Sequence, residues 1–209
     1  MRWRRREATG DMIIVRYADD FIIGFQHEAD ARRFLDQMRE RLGRFALSLH
    51  PEKTRLIEFG RFAAERRKRR GLGKPETFNF LGFTFVCGKT RAGKFQLQRK
   101  TRRDRMLAKL KMVQEEMRRR MHQPIPIQGK WLWHVVNGYF NYHAVPTNFR
   151  SLAAFRTEIA RRWRRVLTRR SERSKLNWKQ MNRLLDEWVP KPRILHRWPE
   201  KRFAVRYPR

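Results

Sequence analysis

The chain has 209 residues with 52 lysines and arginines against 20 acidic residues, so its formal net charge of +32 disfavours a cationic ligand and points to a polyanion, either nucleic acid or an anionic membrane surface. Hydrophobic residues make up 40% of the chain, enough for a modest core, but no apolar run approaches the roughly 20 residues of a membrane span. The single cysteine, Cys87, excludes disulfide frameworks and four-cysteine zinc sites, and with no secretory signal in view we expect a cytoplasmic protein.

The first part of the chain predicts a β-hairpin followed by a helix. Two short apolar runs, 12–15 and 21–25, flank a polar segment, which is typical of two strands joined at a tip that carries Asp19 and Asp20. From 28 to 46 the apolar side chains recur every three or four residues between charged ones, which predicts an amphipathic helix.

The region that follows adds strands and a basic connection. The run 55–59 predicts another strand, and the arginine-rich segment 61–75, with its glycines and proline, predicts a solvated loop. The aromatic segment 78–86 predicts one strand that turns at 91–93 into 95–97, which makes a second hairpin. The first half of the chain is therefore expected to be an α+β fold.

The rest of the chain predicts helices. Apolar side chains recur at helical spacing in four segments, namely 106–121, 129–142, 152–166 and 178–188. Prolines follow the first and the last of them, where helices commonly end. The change from mixed to helical patterns predicts two domains, one over residues 1–98 and one over residues 99–209.

Asp19 and Asp20 are notable because acids are scarce in this basic chain and these two lie between hydrophobic strands. Polymerisation of nucleotides uses carboxylates to hold two Mg²⁺ ions, one that activates the attacking 3′-hydroxyl and one that neutralises the leaving pyrophosphate. Carboxylate oxygens suit Mg²⁺, and a hairpin tip holds them within reach of solvent. The alternative is an ordinary polar turn, in which aspartate is common.

Three segments, in order along the chain, carry a resemblance to a known family. They are Tyr17-Ala18-Asp19-Asp20, His50-Pro51-Glu52-Lys53-Thr54 and Phe80-Leu81-Gly82-Phe83. They are similar to successive boxes of the reverse transcriptase/maturase proteins that group II introns encode. The resemblance implies a partial reverse-transcriptase palm of β-hairpins and a helix, followed by an all-helical thumb and maturase domain.

The same resemblance implies roles for individual residues. Asp19 and Asp20 would be catalytic and would hold the Mg²⁺ ions, and Lys53 would act beside the leaving pyrophosphate. Tyr17 and Ala18 would lie against the primer end and the incoming nucleotide. The primer would also be bound by Phe80, Leu81, Gly82 and Phe83. Two alternatives stay open, namely a merely solvated Lys53 and a purely structural role for the aromatic residues in the core of a sheet.

The later part of the chain is similar to the maturase-specific domain of this family, in the segments 129–143, 163, 169–171, 178, 192–196 and 202–205. The implied role is to hold structured intron RNA, since arginine suits phosphates and aromatic rings stack on unpaired bases. The residues expected to bind RNA are Arg66, Arg67, Arg69, Arg70, Arg102, Arg103, Arg161, Arg162, Arg165, Arg169, Arg170 and Lys175.

The aromatic residues of the helical part divide into two groups. Those at helical spacing are expected in the core, namely Trp131, Tyr139 and Trp163. Those near helix breaks are open between core packing and base stacking, namely Tyr142, Trp178 and Trp198.

Complete members of this family carry fingers and a further metal-binding aspartate before the acidic box, whereas here the strand at Met12 lies close to the first residue. We therefore expect no appreciable DNA synthesis from this chain alone. The expected partners are structured intron RNA, an RNA template with a DNA primer, and a separate chain that carries the fingers and the front of the palm. The alternatives are a non-catalytic maturase that binds intron RNA, a non-functional gene remnant and a generic nucleic-acid binder.

Overall fold

The fold is described for residues 2–170 and 176–199 of a computed structural model. In chain order the elements are α1 (Arg2–Arg6), β1 (Met12–Tyr17), β2 (Asp20–Phe25), α2 (Glu28–Gly43), α3 (Ala63–Arg69), β3 (Phe78–Phe80), β4 (Phe83–Lys89), β5 (Phe95–Thr101), α4 (Arg103–Arg119), α5 (Ile125–His143), α6 (Phe149–Thr168) and α7 (Trp178–Trp188). They divide into two compact units, Met1–Phe59 and Gly60–Arg209. Lys175 and the segment 202–205, both included in the sequence-based expectations, lie outside the described residues.

The first unit is built on the predicted hairpin, in which β1 and β2 pair antiparallel with Met12 opposite Phe25. Trp3 of α1 and Phe34 of α2 both meet the ring of Phe25, with centroids 5.9 and 5.5 Å away. Met12 is buried on the same face of the hairpin. The hairpin and the amphipathic helix are therefore confirmed, and this aromatic cluster holds them together.

The buried carboxylate of Asp30 joins the residues before the hairpin to α2. It accepts hydrogen bonds from the backbone N–H groups of Thr9 at 2.9 Å and Gly10 at 3.1 Å, and from Arg33 at 2.6 Å. Burial alone would raise the pKa of Asp30, but these hydrogen bonds outweigh it and hold the pKa below its ordinary value.

The strand predicted over 55–59 and the loop predicted over 61–75 are both wrong, because the first segment pairs with no described strand and the second contains a helix. Among the described residues the sheets consist of β1–β2 and β3–β5, so 55–59 belongs to no sheet. A strand needs the hydrogen-bonding edge of a partner, which an apolar composition does not supply. Residues 63–69 form a helix because alanine, arginine, lysine and glutamate are strong helix formers, and Gly71 with a φ of +67° follows its end.

The segment 78–86 forms two strands where one was predicted. Leu81 and Gly82 make a two-residue turn between β3 and β4, with positive φ angles of +47° and +74°. The sequence pattern missed this turn because Gly82 alone marks it, and leucine rarely adopts positive φ. The second predicted hairpin is confirmed, since β4 pairs antiparallel with β5 from Phe83 opposite Thr101 onward.

The four predicted helices are present as α4 to α7 and enclose one core. The core contains Leu110, Leu132, Phe155, Trp163 and Met181, all fully buried. Helix α4 packs against α6, and α5 packs against α7. None of the helices among the described residues combines the length and apolar composition that a membrane crossing requires.

The loop between α5 and α6 completes the outer edge of β5. The side chain of Asn148 accepts a hydrogen bond from the Thr101 N–H at 2.9 Å and donates to Thr101 Oγ1 at 2.7 Å and to the His143 carbonyl at 2.8 Å. Thr147 Oγ1 accepts from the Arg99 N–H at 2.9 Å. Among the described residues β5 has no partner strand on this edge, and these two side chains make hydrogen bonds there instead.

Candidate functional site

The acidic pair lies at the tip of the first hairpin, as predicted, with Asp19 in the turn and Asp20 in a strand. Ala18 and Asp19 form the turn, with a φ of +50° at Ala18, and Arg16 Nε donates to the Ala18 carbonyl at 2.9 Å. Asp20 is the first residue of β2 and lies opposite Tyr17. All four residues from Tyr17 to Asp20 are exposed.

The two faces of this hairpin have opposite environments. Met12 and Phe25 are on the face that packs against the helices, whereas the alternation of side chains puts Asp20 on the other face with Ile13, Val15 and Tyr17. That second face is open, with Ile13 65%, Val15 46% and Tyr17 63% exposed. Asp20 therefore shares an uncovered, largely apolar face with the tyrosine that the resemblance places beside the primer.

The donor set at the tip fits part of a site for a hard cation. Asp19 and Asp20 are adjacent, exposed carboxylates, and Mg²⁺ is commonly held by one or two carboxylates with water and substrate phosphates completing the shell. Across residues 2–170 and 176–199, no group of three or more histidine, cysteine and acidic side chains is arranged to hold a metal. The described residues thus offer a two-carboxylate site.

Lys53 lies on a separate segment after α2. Residues 51–53 form a turn in which the N–H groups of Lys53 and Thr54 donate to the His50 carbonyl at 3.2 and 2.9 Å. The Lys53 side chain is exposed. This position is open to solvent, so it fits the solvated alternative as well as a role beside a bound pyrophosphate.

The turn that resembles the primer-binding box is held by α5 and by the residue before α4. Tyr142 donates its hydroxyl to the Leu81 carbonyl at 3.0 Å, and the Arg102 N–H donates to the Gly82 carbonyl at 3.0 Å. Phe80 and Phe83 are buried, whereas Leu81 is exposed at the turn. The two phenylalanines therefore form sheet core, and the turn between them is the part that a ligand can reach.

Two titratable groups lie beneath this turn. Burial lowers the pKa of His143 to about 4 and raises the pKa of Tyr139 to about 12, because each environment disfavours the charged form. The ring of Tyr139 stacks on Phe155 at 3.7 Å between centroids, and His143 contacts the ring of Phe83 at 5.3 Å. Both groups are uncharged at neutral pH and serve as packing.

The expected RNA-binding arginines near α3 and α4 have mixed surroundings. Arg66 is exposed beside the ring of Phe62, and Arg67 Nε donates to the Gly73 carbonyl at 3.0 Å. Arg69 pairs with Glu65 at 2.5 Å, and Arg102 makes a two-point contact with Asp104. Arg70, at the end of α3, and Arg103, at the start of α4, are exposed.

The arginines of α6 lie in two environments. Arg161 and Arg162 both pair with the carboxylate of Glu158 on the same helix, which holds the pKa of Glu158 below its ordinary value. Arg165 and Arg169 are exposed, and Arg170 is half-buried beyond the end of the helix. Of the expected arginines on α6 and at its end, Arg161 and Arg162 are in local ion pairs, and Arg165 and Arg169 make no ion pair within the described residues.

A groove between α4 and α6 brings four arginines together. Arg118 of α4 and Arg162, Arg165 and Arg169 at the α6 side line a space of about 530 Å³, called the arginine groove below. Arg118 was not expected to bind RNA. The sequence carries no signal for it, because only the packing of α4 on α6 brings it opposite the other three.

The aromatic residues follow the two expected environments in most cases. Trp163 is fully buried and donates its indole N–H to Gln128 Oε1 at 3.0 Å, and Tyr139 is buried. Trp131 is half-buried beneath a guanidinium, and Trp198 is half-buried. Tyr142 is 53% and Trp178 46% exposed, but each ring has one face covered, since Tyr142 stacks on Phe83 at 5.8 Å and the Arg164 guanidinium lies 4.9 Å from the centre of the Trp178 ring.

Residues 2–85 match the family described as reverse transcriptase (RNA-dependent DNA polymerase). The matched segment includes the hairpin with its acidic tip, helices α2 and α3, and the turn at Leu81–Gly82. A search of curated proteins finds no match to the chain. The expected similarity to reverse transcriptases is thus confirmed for this segment, and the mixed α+β architecture is compatible with part of a reverse-transcriptase palm.

Proposed function

We propose that this protein is a reverse transcriptase/maturase of the group II intron type, which as this chain alone binds intron RNA and synthesises no appreciable DNA. The observation that carries the proposal is the exposed pair Asp19 and Asp20 at the tip of a tight hairpin, inside a segment that matches reverse transcriptases. The likeness of the later segments to a maturase domain, together with the net charge of +32, extends it to RNA binding.

The hairpin would supply the metal-binding part of a polymerase site. Asp19 and Asp20 would hold Mg²⁺, which supplies activation of a 3′-hydroxyl and neutralisation of a leaving pyrophosphate when bound. Tyr17 and Ala18 would contact the primer end and the nucleotide, and Lys53 would approach the pyrophosphate.

The primer would run past the turn between β3 and β4. Gly82 supplies the positive φ of +74° that the turn needs, and a Cβ atom there would face Tyr142 and His143 at 3.7 and 3.9 Å. Leu81 is exposed beside it, while Phe80 and Phe83 support the turn from the core. In this arrangement the two phenylalanines would position the turn, and the backbone of the turn would contact the primer.

The part from residue 99 onward would be the thumb and maturase domain that holds structured intron RNA. Arg165 and Arg169, on α6 and at its C-cap, suit phosphates, and the exposed parts of the Tyr142 and Trp178 rings suit stacking on unpaired bases. We propose that the protein does this in the cytoplasm, with a template, a primer and a chain carrying the fingers as further partners of the complete enzyme.

A non-catalytic maturase is the second candidate. It is favoured by the two-carboxylate site, because the described residues bring no third ligand to the tip. Two carboxylates with water suffice for one Mg²⁺ ion, whereas polymerisation requires two metal ions in a fixed geometry. For this reason we expect the chain alone to bind intron RNA and to synthesise no appreciable DNA.

The test compares RNA binding with primer extension in the same preparation. Binding to a structured group II intron RNA should fall steeply with KCl concentration and be unchanged in Asp19→Asn/Asp20→Asn. Primer extension with Mg²⁺ should stay at background. Failure to bind the RNA would reject the proposal. A robust extension signal that Asp19→Asn abolishes would instead establish an active polymerase and reject the non-catalytic candidate.

A further inference from the structure

The arginine groove has two walls from different helices and an apolar floor. On one side Arg118 belongs to α4 and Met121 follows the C-cap of that helix. On the other side Arg162, Arg165 and Val166 belong to α6, and Arg169 is its C-cap. The groove is therefore a product of the packing of α4 on α6, and its shape does not depend on a single flexible segment.

Three of the four arginines in the groove, Arg118, Arg165 and Arg169, have no carboxylate partner among the described residues. No acidic residue lines it, and the side chains of Arg118, Arg165 and Arg169 make no ion pair or hydrogen bond with any residue in the described ranges. Such juxtaposed like charges disfavour the empty groove and favour the presence of an anion.

Arg162 adds a separate indication. Its guanidinium pairs with Glu158 on one side, but its Nε atom is buried and, within the described residues, has no hydrogen-bond acceptor. An unpaired buried donor is unfavourable, so an acceptor oxygen from a ligand at this end of the groove would stabilise it.

The arrangement of the arginines indicates an extended anion. Arg162, Arg165 and Arg169 follow the spacing of one helix face, and the rise between the first and the last is about 10 Å. Guanidinium groups bind phosphate oxygens through paired N–H donors, and the methionine and valine at the floor suit the apolar face of a sugar.

We infer that the arginine groove binds the phosphate backbone of RNA along consecutive nucleotides, with Arg118 on one side and Arg165 and Arg169 on the other. This inference rests on the proposed function, since it names where on the molecule the RNA lies. Phosphate contacts position a nucleic acid without reading its sequence. The groove is thus a positioning site rather than a source of intron specificity.

The test removes equal charge inside and outside the groove. Arg165→Gln/Arg169→Gln is compared with Arg150→Gln/Arg183→Gln, which removes two exposed arginines elsewhere on α6 and α7. Binding to one structured intron RNA is measured over a series of KCl concentrations. The groove variant should weaken binding about tenfold or more and reduce the salt slope by about two, whereas the control should change affinity less than about threefold.

The opposite wall is tested by Arg118→Gln alone, which should weaken RNA binding while leaving thermal unfolding unchanged. Equal effects of the groove and control variants would overturn the inference, because the loss would then follow net charge only. If the wild-type protein binds no RNA, the proposed function fails first and the inference falls with it.

A final arm distinguishes RNA from a small phosphate compound. Inorganic tripolyphosphate is titrated into the wild-type protein and the groove variant. If tripolyphosphate binding depends on Arg165 and Arg169 while RNA binding does not, the groove takes a small polyphosphate and the inference is rejected. Weak tripolyphosphate binding, with groove-dependent RNA binding, supports it.

Discussion

Gly129 and Gly138 lie on the same helix, α5, but only Gly129 is packed against another element. A Cβ atom at Gly129 would lie 2.3 Å from Trp188 Cδ2, whereas a Cβ atom at Gly138 would have no such neighbour within 4 Å. We expect Gly129→Ala to lower the free energy of unfolding by about 1–3 kcal/mol, because the indole has to move. Gly138→Ala should raise it by about 0.5–1 kcal/mol, because alanine is the better helix former.

Urea denaturation of the two variants, followed by circular dichroism, measures this difference. The pair is informative because the chemical change and the helix are the same in both. If the two substitutions shift the unfolding midpoint in the same direction and by the same amount, the packing of Trp188 on Gly129 is not as described.

The buried imidazole of His143 makes the free energy of unfolding depend on pH between about 4 and 6.5. Burial lowers its pKa from 6.5 to about 4, so below pH 6.5 the unfolded chain binds a proton that the folded chain resists. Stability therefore rises with pH between about 4 and 6.5. We expect the melting temperature to fall as the pH is lowered from 7 to 5, above the range where the carboxylates titrate.

The matched variants are His143→Gln and His134→Gln, the second at an exposed position on the same helix. His143→Gln should flatten the pH dependence of the melting temperature between pH 7 and 5, and His134→Gln should leave it as in the wild type. A slope that survives in His143→Gln would assign the effect to another group.

At the scale of elements, Asn148 holds the α5–α6 loop to the edge of β5. Its side chain is buried and makes three hydrogen bonds, to the Thr101 N–H, Thr101 Oγ1 and the His143 carbonyl. We expect Asn148→Ala to reduce the free energy of unfolding by about 1–3 kcal/mol, because buried groups of Thr101 lose their partners.

Asn141→Ala is the control for that variant, since Asn141 is exposed on α5. Chemical denaturation should show a change within about 0.5 kcal/mol for it. Should Asn148→Ala prove equally mild, water would have to satisfy the edge of β5, and the loop would not be a structural substitute for a strand.

The elements that sequence patterns predicted well are those with a regular period and a local cause. The helix α6 shows this, because Leu152, Phe155, Ile159 and Trp163 recur at helical spacing and are all buried. The strand predicted over 55–59 failed because pairing is not local. The turn at Leu81–Gly82 was missed because leucine disfavours a positive φ angle. Leu81 adopts one here, and the Tyr142 hydroxyl stabilises it by donating a hydrogen bond to the Leu81 carbonyl.

At the scale of the whole molecule, the excess of 52 basic over 20 acidic residues opposes the folded state through mutual repulsion. Screening shortens the reach of these charges from about 10 Å at 0.1 M salt to about 3 Å at 1 M. We expect the melting temperature to rise as KCl increases from 0.05 to 0.5 M at pH 7, by roughly a few degrees.

A thermal melt at constant protein concentration measures this effect, with chloride rather than sulfate so that preferential exclusion does not contribute. The same salt range should weaken RNA binding, so folding and binding respond to salt in opposite directions. A melting temperature that is flat or falls with KCl would mean that local ion pairs, such as Arg69 with Glu65, outweigh the repulsion.

The acidic tip of the hairpin and the helices could be predicted from the sequence, because each depends on residues that are close together along the chain. The arginine groove could not, because Arg118 and Arg165 become neighbours only when α4 packs on α6. Which face of the hairpin is exposed likewise depends on the tertiary structure, since the alternation of side chains predicts two faces but not which of them the helices cover. Composition and local pattern thus determined the strongly basic character of the chain and the acidic motif, while long-range packing decided which cations face each other and which surfaces stay exposed.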